Sequence, residues 1–162
     1  MIRLFLSLMM AMFATAVEAN EISGPAKAVD STVIEINRQR IMLFGIDSVM
    51  RKQRCTLDGK IWDCWDAAVR NLQILVDQGP ATCEAVGEPD VYGRILARCT
   101  INGKSLNEQL VREGWAVARP SETTDYVAAE AAAKKAKLGL WQGQFQPPAQ
   151  FRLTHGIFVD RP

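Results

Sequence analysis

The sequence contains a single histidine, His155, and its four cysteines show no CxxC-like spacing. Structural zinc sites are built from closely spaced cysteines and histidines, so this composition disfavours a zinc centre. The chain carries only one positive charge in excess, whereas nucleic-acid-binding proteins usually present a strongly basic face. We find no internal repeat, no low-complexity tract and no carboxylate pair of the kind that glycosidases use. The sequence is therefore that of one small globular domain without an evident zinc or glycosidase centre.

The longest apolar run lies at the N-terminus, over residues 4–13. No other segment approaches the roughly 20 apolar residues of a membrane-spanning helix. The run follows Arg3 and precedes Ala19, a pattern typical of a secretory signal peptide that is cleaved before Asn20. An uncleaved N-terminal anchor is the alternative. We expect residues 1–19 to be a signal peptide, and the mature protein to be a periplasmic or secreted monomer without a membrane segment.

All four cysteines, Cys55, Cys64, Cys83 and Cys99, follow the signal peptide. An even number of cysteines in a small exported chain favours disulfides over free thiols. Four cysteines can pair in three ways, and the sequence does not choose among them. We prefer Cys55–Cys64 and Cys83–Cys99 because each pair closes a short loop, which for an unstrained bridge contributes roughly 2–3 kcal/mol.

Strands are predicted in two parts of the chain. The apolar or β-branched runs 33–36 and 41–44 flank the polar stretch 37–40, and this pattern predicts a β-hairpin. Residues 81–85 and 95–101 have the composition of two further strands.

Three helices are predicted after the hairpin. Apolar residues at helical spacing indicate a helix over 65–78. Ser105 and Glu108 have capping-box spacing, which predicts a second helix over 105–113. The alanine-, glutamate- and lysine-rich segment 126–137 predicts the third.

A short-stranded sheet with one inserted helix and two later helices favours a small curled barrel. Residues 142–162 show little periodicity and contain two adjacent prolines. This tail either packs onto the domain as a strap, through Phe145, Phe151 and Phe158, or is mobile.

Four segments carry a resemblance to a known family: residues 27–47, 90–99 (DVYGRILARC), 106–116 (LNEQLVREGWA) and 139–141 (GLW). At this spacing they resemble the staphylococcal-nuclease-like family. The stretch from Gly143 to Arg152 is similar to the end of exported members from Gram-negative bacteria. The resemblance implies an α+β fold over residues 20–141, namely a five-stranded OB-type β-barrel with three α-helices, followed by the tail 142–162. It also implies calcium-assisted hydrolysis of phosphodiester bonds in DNA or RNA.

Hydrolysis of this kind has three physical requirements. Calcium needs clustered carboxylate oxygens, the attacking water needs a carboxylate base, and the charged phosphate oxygens need arginine donors. By the resemblance, Asp47 stands at a metal-ligand position, and Thr32 supplies a backbone carbonyl to the metal. Arg94, in the YGR turn, stands at the position of a catalytic arginine.

Three positions of the same site depart from the family. Ser31 stands where an aspartate ligand is expected, Met42 where an arginine is expected, and Met50 where the glutamate base is expected. Asp30 is one residue from Ser31, but neighbouring side chains on a strand face opposite sides unless a bulge intervenes. Arg40 shares the face of Met42 at a distance of about 7 Å. Loss of the base removes roughly 10²–10⁴-fold of rate, and loss of a charge-stabilising donor removes about 10²–10³-fold more.

The residues that match the family also have structural explanations. Asp47 can accept hydrogen bonds from backbone amides of its own turn, and Arg94 can serve a tight turn and an ion pair. The tryptophans Trp62, Trp65, Trp115 and Trp141 are better explained as core anchors than as base-stacking platforms.

These patterns favour an exported domain with an impaired phosphodiesterase site. It is expected to bind an anionic polymer, either single-stranded nucleic acid or an acidic polysaccharide, or to be an accessory protein associated with exopolysaccharide. The candidate anion-binding residues are Arg38, Arg40, Arg51 and Arg94. No cofactor is expected, except calcium if the protein is active. The alternative is an active calcium-dependent nuclease that hydrolyses DNA or RNA.

Overall fold

Short strands make up most of the first half of the chain, and helices follow or separate them. The computed structural model describes residues 21–157, so the predicted signal peptide and Phe158 lie outside the described residues. The strands are β1 Glu21–Gly24, β2 Ala26–Asp30, β3 Val33–Ile36, β4 Gln39–Leu43, β5 Ile46–Asp47, β6 Cys55–Leu57, β7 Lys60–Trp62, β8 Ala81–Ala85, β9 Ile95–Ile101, β10 Lys104–Ser105 and β11 Val117–Ala118. The helices are α1 Cys64–Val76, α2 Leu106–Arg112, α3 Val127–Ala136 and α4 Pro148–Thr154, with a 3₁₀ turn at Gly139–Gln142.

The main sheet is mixed. Its strand order is β1-β8-β9-β4-β3-β2, and β10 pairs with β9. The pairing of β4 with β9 is parallel, whereas the other pairings in this sheet are antiparallel. Two small antiparallel pairs, β5 with β11 and β6 with β7, complete the strands. The sheet and helices together confirm the predicted α+β class.

Strand periodicity gives the sheet two apolar faces. Ile34 and Leu43 are completely buried in the main core, together with residues of α1 and α2. On the opposite face, Val33, Met42 and Leu96 form a separate, smaller cluster. Because successive side chains of a strand point to opposite faces, Met42 cannot share the core with its neighbours and is held on the second face.

The predicted hairpin is confirmed, but its turn is shorter than predicted. Asn37 and Arg38 form a two-residue turn in which both residues have positive φ, 50° and 66°. Strand β4 therefore begins at Gln39. Two-residue hairpin turns with positive φ at both positions match the twist of the strands that they connect.

The three predicted helices are present, with ends that differ by at most two residues from the prediction. The Ser105 side chain caps α2 by accepting a hydrogen bond from the backbone N–H of Glu108 at 3.2 Å. This is the contact that the capping-box spacing indicates. Lys137 caps the C-terminus of α3 in a left-handed conformation with φ 53°.

The described part of the tail packs onto the domain, as the strap alternative holds, and forms a fourth helix, α4, one more than predicted. Phe145 packs against a buried cluster that contains Val49 and Leu140. Phe151 instead stacks on His155 within the tail, with ring centres 3.9 Å apart, so it is Phe145 and not Phe151 that belongs to the buried cluster.

The segment before α4 is fixed to strand β6. Thr56 and Gln144 exchange two backbone hydrogen bonds of 2.8 and 2.7 Å. A Cβ at Gly143 would lie 2.3 Å from the Thr56 carbonyl oxygen, so this close approach requires glycine. The Gln53 side chain donates to the carbonyl of Gln146 at 2.6 Å. Together these contacts set where α4 begins.

Both preferred disulfides are present. Cys55–Cys64 joins β6 to the first residue of α1, with the Cα atoms 5.7 Å apart. Cys83–Cys99 joins directly opposite residues of β8 and β9. No cysteine among residues 21–157 is free.

None of the helices between residues 21 and 157 combines the length and apolarity needed to cross a membrane.

Candidate functional site

A small cavity of about 60 Å³ lies beside the ends of β2, β4 and β5. It gathers six residues that the sequence analysis singled out: Ser31, Thr32, Met42, Asp47, Met50 and Arg94. The other candidates, Arg38, Arg40 and Arg51, do not line it. The cavity therefore coincides with the site that the family resemblance implies.

Asp30 also lines this cavity, although it was one residue out of step with the expected ligand position. Ala28 pairs with Ile34, whereas Asp30 pairs with Val33, so β2 has a bulge between Ala28 and Asp30. An extra residue in a strand redirects the side chains that follow it. The Asp30 carboxylate is engaged, because Oδ1 accepts a 2.7 Å hydrogen bond from the Trp65 indole.

Ser31 and Thr32 direct their polar groups into the protein. The Ser31 hydroxyl donates to the backbone carbonyl of Val49 at 2.9 Å, and Ser31 is buried. The carbonyl of Thr32, the group that the resemblance offers to a metal, accepts a 3.0 Å hydrogen bond from the N–H of Leu43. Both groups thus hold the β2–β3 turn against neighbouring chain segments.

Asp47 makes a two-pronged ion pair with Arg152. Arg152 Nη1 donates to Oδ1 at 3.0 Å, and Nη2 donates to Oδ2. Oδ1 also accepts the N–H of Ser48 at 3.0 Å. Both side chains are largely buried, with 14% of the Arg152 side chain and 7% of the Asp47 side chain exposed. The guanidinium supplies a fixed positive charge to the carboxylate, as paired charges in a protein interior require.

Arg152 is the site residue that the sequence analysis missed. It lies on α4, and its Nη1 also lies 3.6 Å from the sulfur of Met50. A signal was present, since Arg152 closes the GxFxxPxxFR-like segment through which the tail resembles exported members of the family. That resemblance was assigned to the tail as a whole and not to the site.

Arg94 is held by Asp90 at the start of its own turn. The guanidinium Nε donates to Asp90 Oδ2 at 2.7 Å, while Asp90 Oδ1 accepts the N–H groups of Tyr92 and Arg94 at 3.0 and 2.9 Å. Arg94 Nη2 is 2.6 Å from Oδ2, yet it is buried and lacks a well-directed partner among the described residues. Nε therefore makes the hydrogen bond, and Nη2 adds close charge attraction.

The ionisation of Asp90 reflects this arrangement. Burial raises its pKa, but the hydrogen bond from Arg94, the two backbone N–H groups and the nearby positive charge outweigh burial, so the pKa lies below its ordinary value. Asp90 thus stays charged and keeps Arg94 in place.

Met42 and Met50 bring no ionisable group to the cavity. Met42 is buried in the second apolar cluster, and the Met50 backbone N–H donates to the side chain of Gln53 at 3.1 Å. A thioether neither accepts a proton from water at neutral pH nor stabilises negative charge. At these two positions the side chains contribute apolar contacts but cannot carry out acid–base chemistry.

The remaining candidate arginines are exposed. Arg38 lies in the hairpin turn, and Arg40 is paired in register with Glu35 on the neighbouring strand. The guanidinium of Arg51 lies 4.6 Å from the centre of the Trp65 ring. These side chains are exposed to solvent, and none of the three lines the cavity.

The oxygen donors of the cavity determine whether it can hold a calcium ion. Calcium takes six to eight oxygen ligands, several of them from carboxylates. Among residues 21–157, no group of three or more His, Cys, Asp or Glu side chains is arranged to hold a metal ion. The two carboxylates that line the cavity, Asp30 and Asp47, are bound by Trp65 and Arg152. In this arrangement the residues do not fit a calcium ion.

Two comparisons with known proteins bear on the family of the chain. The family described as staphylococcal nuclease homologue matches residues 40–143. The chain is also 31% identical, over 130 residues, to the succinoglycan biosynthesis protein ExoI of Rhizobium meliloti (strain 1021). The aligned region covers 78% of this chain and 68% of that protein. The mixed sheet and helices described above are consistent with the OB-like fold expected of the family. The chain belongs to the staphylococcal nuclease homologue family.

Proposed function

We propose that this protein is an exported, non-hydrolytic member of its family that binds an anionic polymer as an accessory protein of exopolysaccharide production. The observation that carries the proposal is the ion pair between Asp47 and Arg152. Asp47 is the one side chain that matches a metal-ligand position of the family. In this pair the guanidinium of Arg152 takes the place beside Asp47 that a metal ion would occupy.

The loss of hydrolysis follows from the three chemical requirements. A water nucleophile needs a carboxylate base within hydrogen-bond reach, and the position expected to hold that base is Met50. Phosphate charge needs arginine donors, but Met42 is apolar and Asp90 holds Arg94. The metal needs free carboxylate oxygens, and Arg152 engages both oxygens of Asp47. Each requirement is unmet at the residue that would serve it.

Export and pathway are supported by separate observations. Two disulfides are typical of proteins that fold in an oxidising compartment outside the cytoplasm. A relative of similar sequence is named for succinoglycan biosynthesis. We infer a periplasmic or secreted protein that handles an exported polysaccharide.

Polymer binding is supported by the distribution of exposed cations. Arg38, Arg40 and Arg51 are exposed and form no ion pair within residues 21–157. Arg94 was a candidate as well, but its pairing with Asp90 reduces what it can offer an anion. Attraction from exposed charges is strongly screened by salt, so binding should weaken sharply between low and physiological salt.

A titration of the mature protein with an acidic oligosaccharide, at low and physiological salt, tests polymer binding. Arg40→Ala should weaken binding, whereas Arg112→Ala should not, because Arg112 is already paired with Glu108 on α2. An absence of binding at low salt, or equal binding by both variants and the wild type, would contradict the proposal.

The second candidate function is a working calcium-dependent nuclease, and one observation favours it. The bulge in β2 places Asp30 in the same cavity as Asp47. If Arg152 were displaced, these two carboxylates could face one ion. Calorimetric titration with calcium separates the two functions. We expect no micromolar site in the wild type, and a micromolar site that Asp47→Ala or Asp30→Asn abolishes would favour the nuclease.

A further inference from the structure

A second, larger space lies on the other side of the Asp47–Arg152 pair. It is a groove of about 370 Å³ between β11, α3 and the tail, a volume within the usual range for small-ligand sites. Asp47 and Arg152 line both the groove and the small cavity, so their ion pair stands between the two spaces. The groove walls are largely apolar and include Ala118, Pro120 and Pro148.

Charged side chains converge on this apolar groove. Arg119, Lys134 and Arg152 contribute three positive charges, and Asp47 and Glu130 contribute two negative charges. Lys134 Nζ lies 2.9 Å from Glu130, and 47% of the Lys134 side chain remains exposed. A lysine and a carboxylate held side by side offer a donor and an acceptor to the same ligand hydroxyl. Each of these cations has a carboxylate partner, since Arg119 is paired with Glu122 at 2.9 Å and Arg152 with Asp47. Lys134 is the most exposed of the three cations.

We propose that this groove binds a hydroxyl-rich oligosaccharide segment that carries occasional acidic groups, a proposal that rests on the polymer-binding function above. The apolar C–H faces of the sugars pack on the proline and alanine walls. The hydroxyls bridge Glu130 and Lys134, and an acidic substituent is attracted by the exposed ammonium group of Lys134. Lining that is mostly apolar with a few converging polar groups is the usual character of a ligand site.

The same residues disfavour a nucleic acid in the groove. A nucleic-acid strand brings a negative charge with every nucleotide, whereas each cation of the groove is already paired with a carboxylate. Base stacking also needs an open aromatic face. The Trp141 ring has Lys134 Nζ 4.5 Å from its centre and Phe145 packed edge-to-face at 4.8 Å. A sparsely charged sugar chain avoids both difficulties.

Two pairs of variants test the groove. Ala149→Trp places a large side chain at an exposed residue of the groove wall, and Ala132→Trp places it at an exposed residue of α3 outside the groove. Lys134→Met removes the most exposed cation of the groove, and Lys135→Met removes the charge of the next residue, which is exposed but does not line the groove. Calorimetry would use three probes: a glucuronate-containing oligosaccharide, a neutral glucose oligomer of equal length, and a single-stranded oligonucleotide.

We expect Ala149→Trp to weaken binding of the glucuronate-containing oligosaccharide by about tenfold or more, equivalent to at least about 1.4 kcal/mol, and Ala132→Trp to leave it unchanged. Lys134→Met should weaken binding of the acidic oligosaccharide more than binding of the neutral oligomer. Lys135→Met should have little effect on the binding of either. The proposal is wrong if Ala149→Trp and Lys134→Met both bind the acidic oligosaccharide like the wild type, or if Ala149→Trp blocks only the oligonucleotide. Oligosaccharide binding that ignores these variants would overturn the groove alone, whereas absence of any polymer binding would overturn the proposed function too.

Discussion

Arg152 reaches Asp47 across 105 residues of sequence and engages both of its carboxylate oxygens. Asp47 belongs to the short strand β5, and Arg152 belongs to the last helix of the described chain. The path between them is traceable. Disulfide Cys55–Cys64 fixes β6 to α1, Thr56 on β6 pairs with Gln144, and the tail then turns into α4. The attachment of the tail thus determines whether Arg152 lies beside Asp47 and balances its negative charge.

Removal of Arg152 should destabilise the fold, because Asp47 would remain as a buried charge without its partner. We expect Arg152→Ala to lower the free energy of unfolding by about 3 kcal/mol or more, measured by urea denaturation. Arg112→Ala breaks an exposed pair and should cost less than about 1 kcal/mol. Equal effects from the two variants would show that the Asp47–Arg152 pair does not hold the tail in place.

Asp90 should make stability depend on pH in the acid range. Its pKa is lower in the folded state than the ordinary value of 3.8, so its contribution is fully present above about pH 4. The contribution is lost as the pH falls through the lowered pKa of the folded state. Asp90→Asn should therefore destabilise the protein at neutral pH and flatten the loss of stability below pH 4, as followed by thermal unfolding. An unchanged pH profile in Asp90→Asn would contradict this assignment.

Gly143 should be sensitive to the smallest side chain. Its Cβ would lie 2.3 Å from the Thr56 carbonyl oxygen, and the next nearest atoms are also backbone atoms of Thr56 and Leu57, which cannot move aside as a flexible side chain could. We expect Gly143→Ala to loosen the tail, with faster hydrogen exchange over residues 144–157 and faster proteolysis of that segment. Gln144→Ala is the matched control, because Gln144 contacts Thr56 through its backbone. If the two variants show the same hydrogen exchange over residues 144–157, the close approach of Gly143 to Thr56 does not hold the tail.

The disulfides should protect all four cysteines in protein purified from an oxidising compartment. Intact-mass analysis with thiol labelling should find no alkylatable cysteine and a mature chain that starts near Asn20. Two or more labelled cysteines, or a retained Met1, would contradict the expectation.

The two bridges should also differ in effect. Replacing Cys55 and Cys64 by serine should cost roughly 2–3 kcal/mol and increase hydrogen exchange in the tail, since that bridge adjoins Thr56. Replacing Cys83 and Cys99 should lower stability without a specific effect on the tail. If the two replacements change hydrogen exchange in the tail by the same amount, the proposed link from β6 to α4 is absent.

Local sequence features predicted much of the fold. Ser105 and Glu108 fix the start of α2 through one turn of chain, and alternating apolar residues such as Ile34 and Ile36 mark a strand by themselves. Caps and periodicities are local, so they can be recognised without the tertiary structure.

The features of the site that the sequence did not settle depend on distant contacts. Asp30 enters the cavity because a bulge shifts β2 against β3, and bulges have no dependable signal in a single strand. The role of Arg152 could be predicted only from the position of α4, and that position depends on the close approach of Gly143 to Thr56. The resemblance located Asp47 and Arg94, but it did not indicate that Arg152 and Asp90 would bind them.

The most direct test of the central proposal is calcium-dependent cleavage of single-stranded DNA by the purified mature protein, measured beside Met50→Glu. We expect no cleavage above the buffer control with or without calcium. Met50→Glu should not restore it, because Met42 remains apolar and Arg152 still engages Asp47. Cleavage by the wild type that requires calcium and disappears in Asp47→Asn would contradict the proposal that this site is non-hydrolytic.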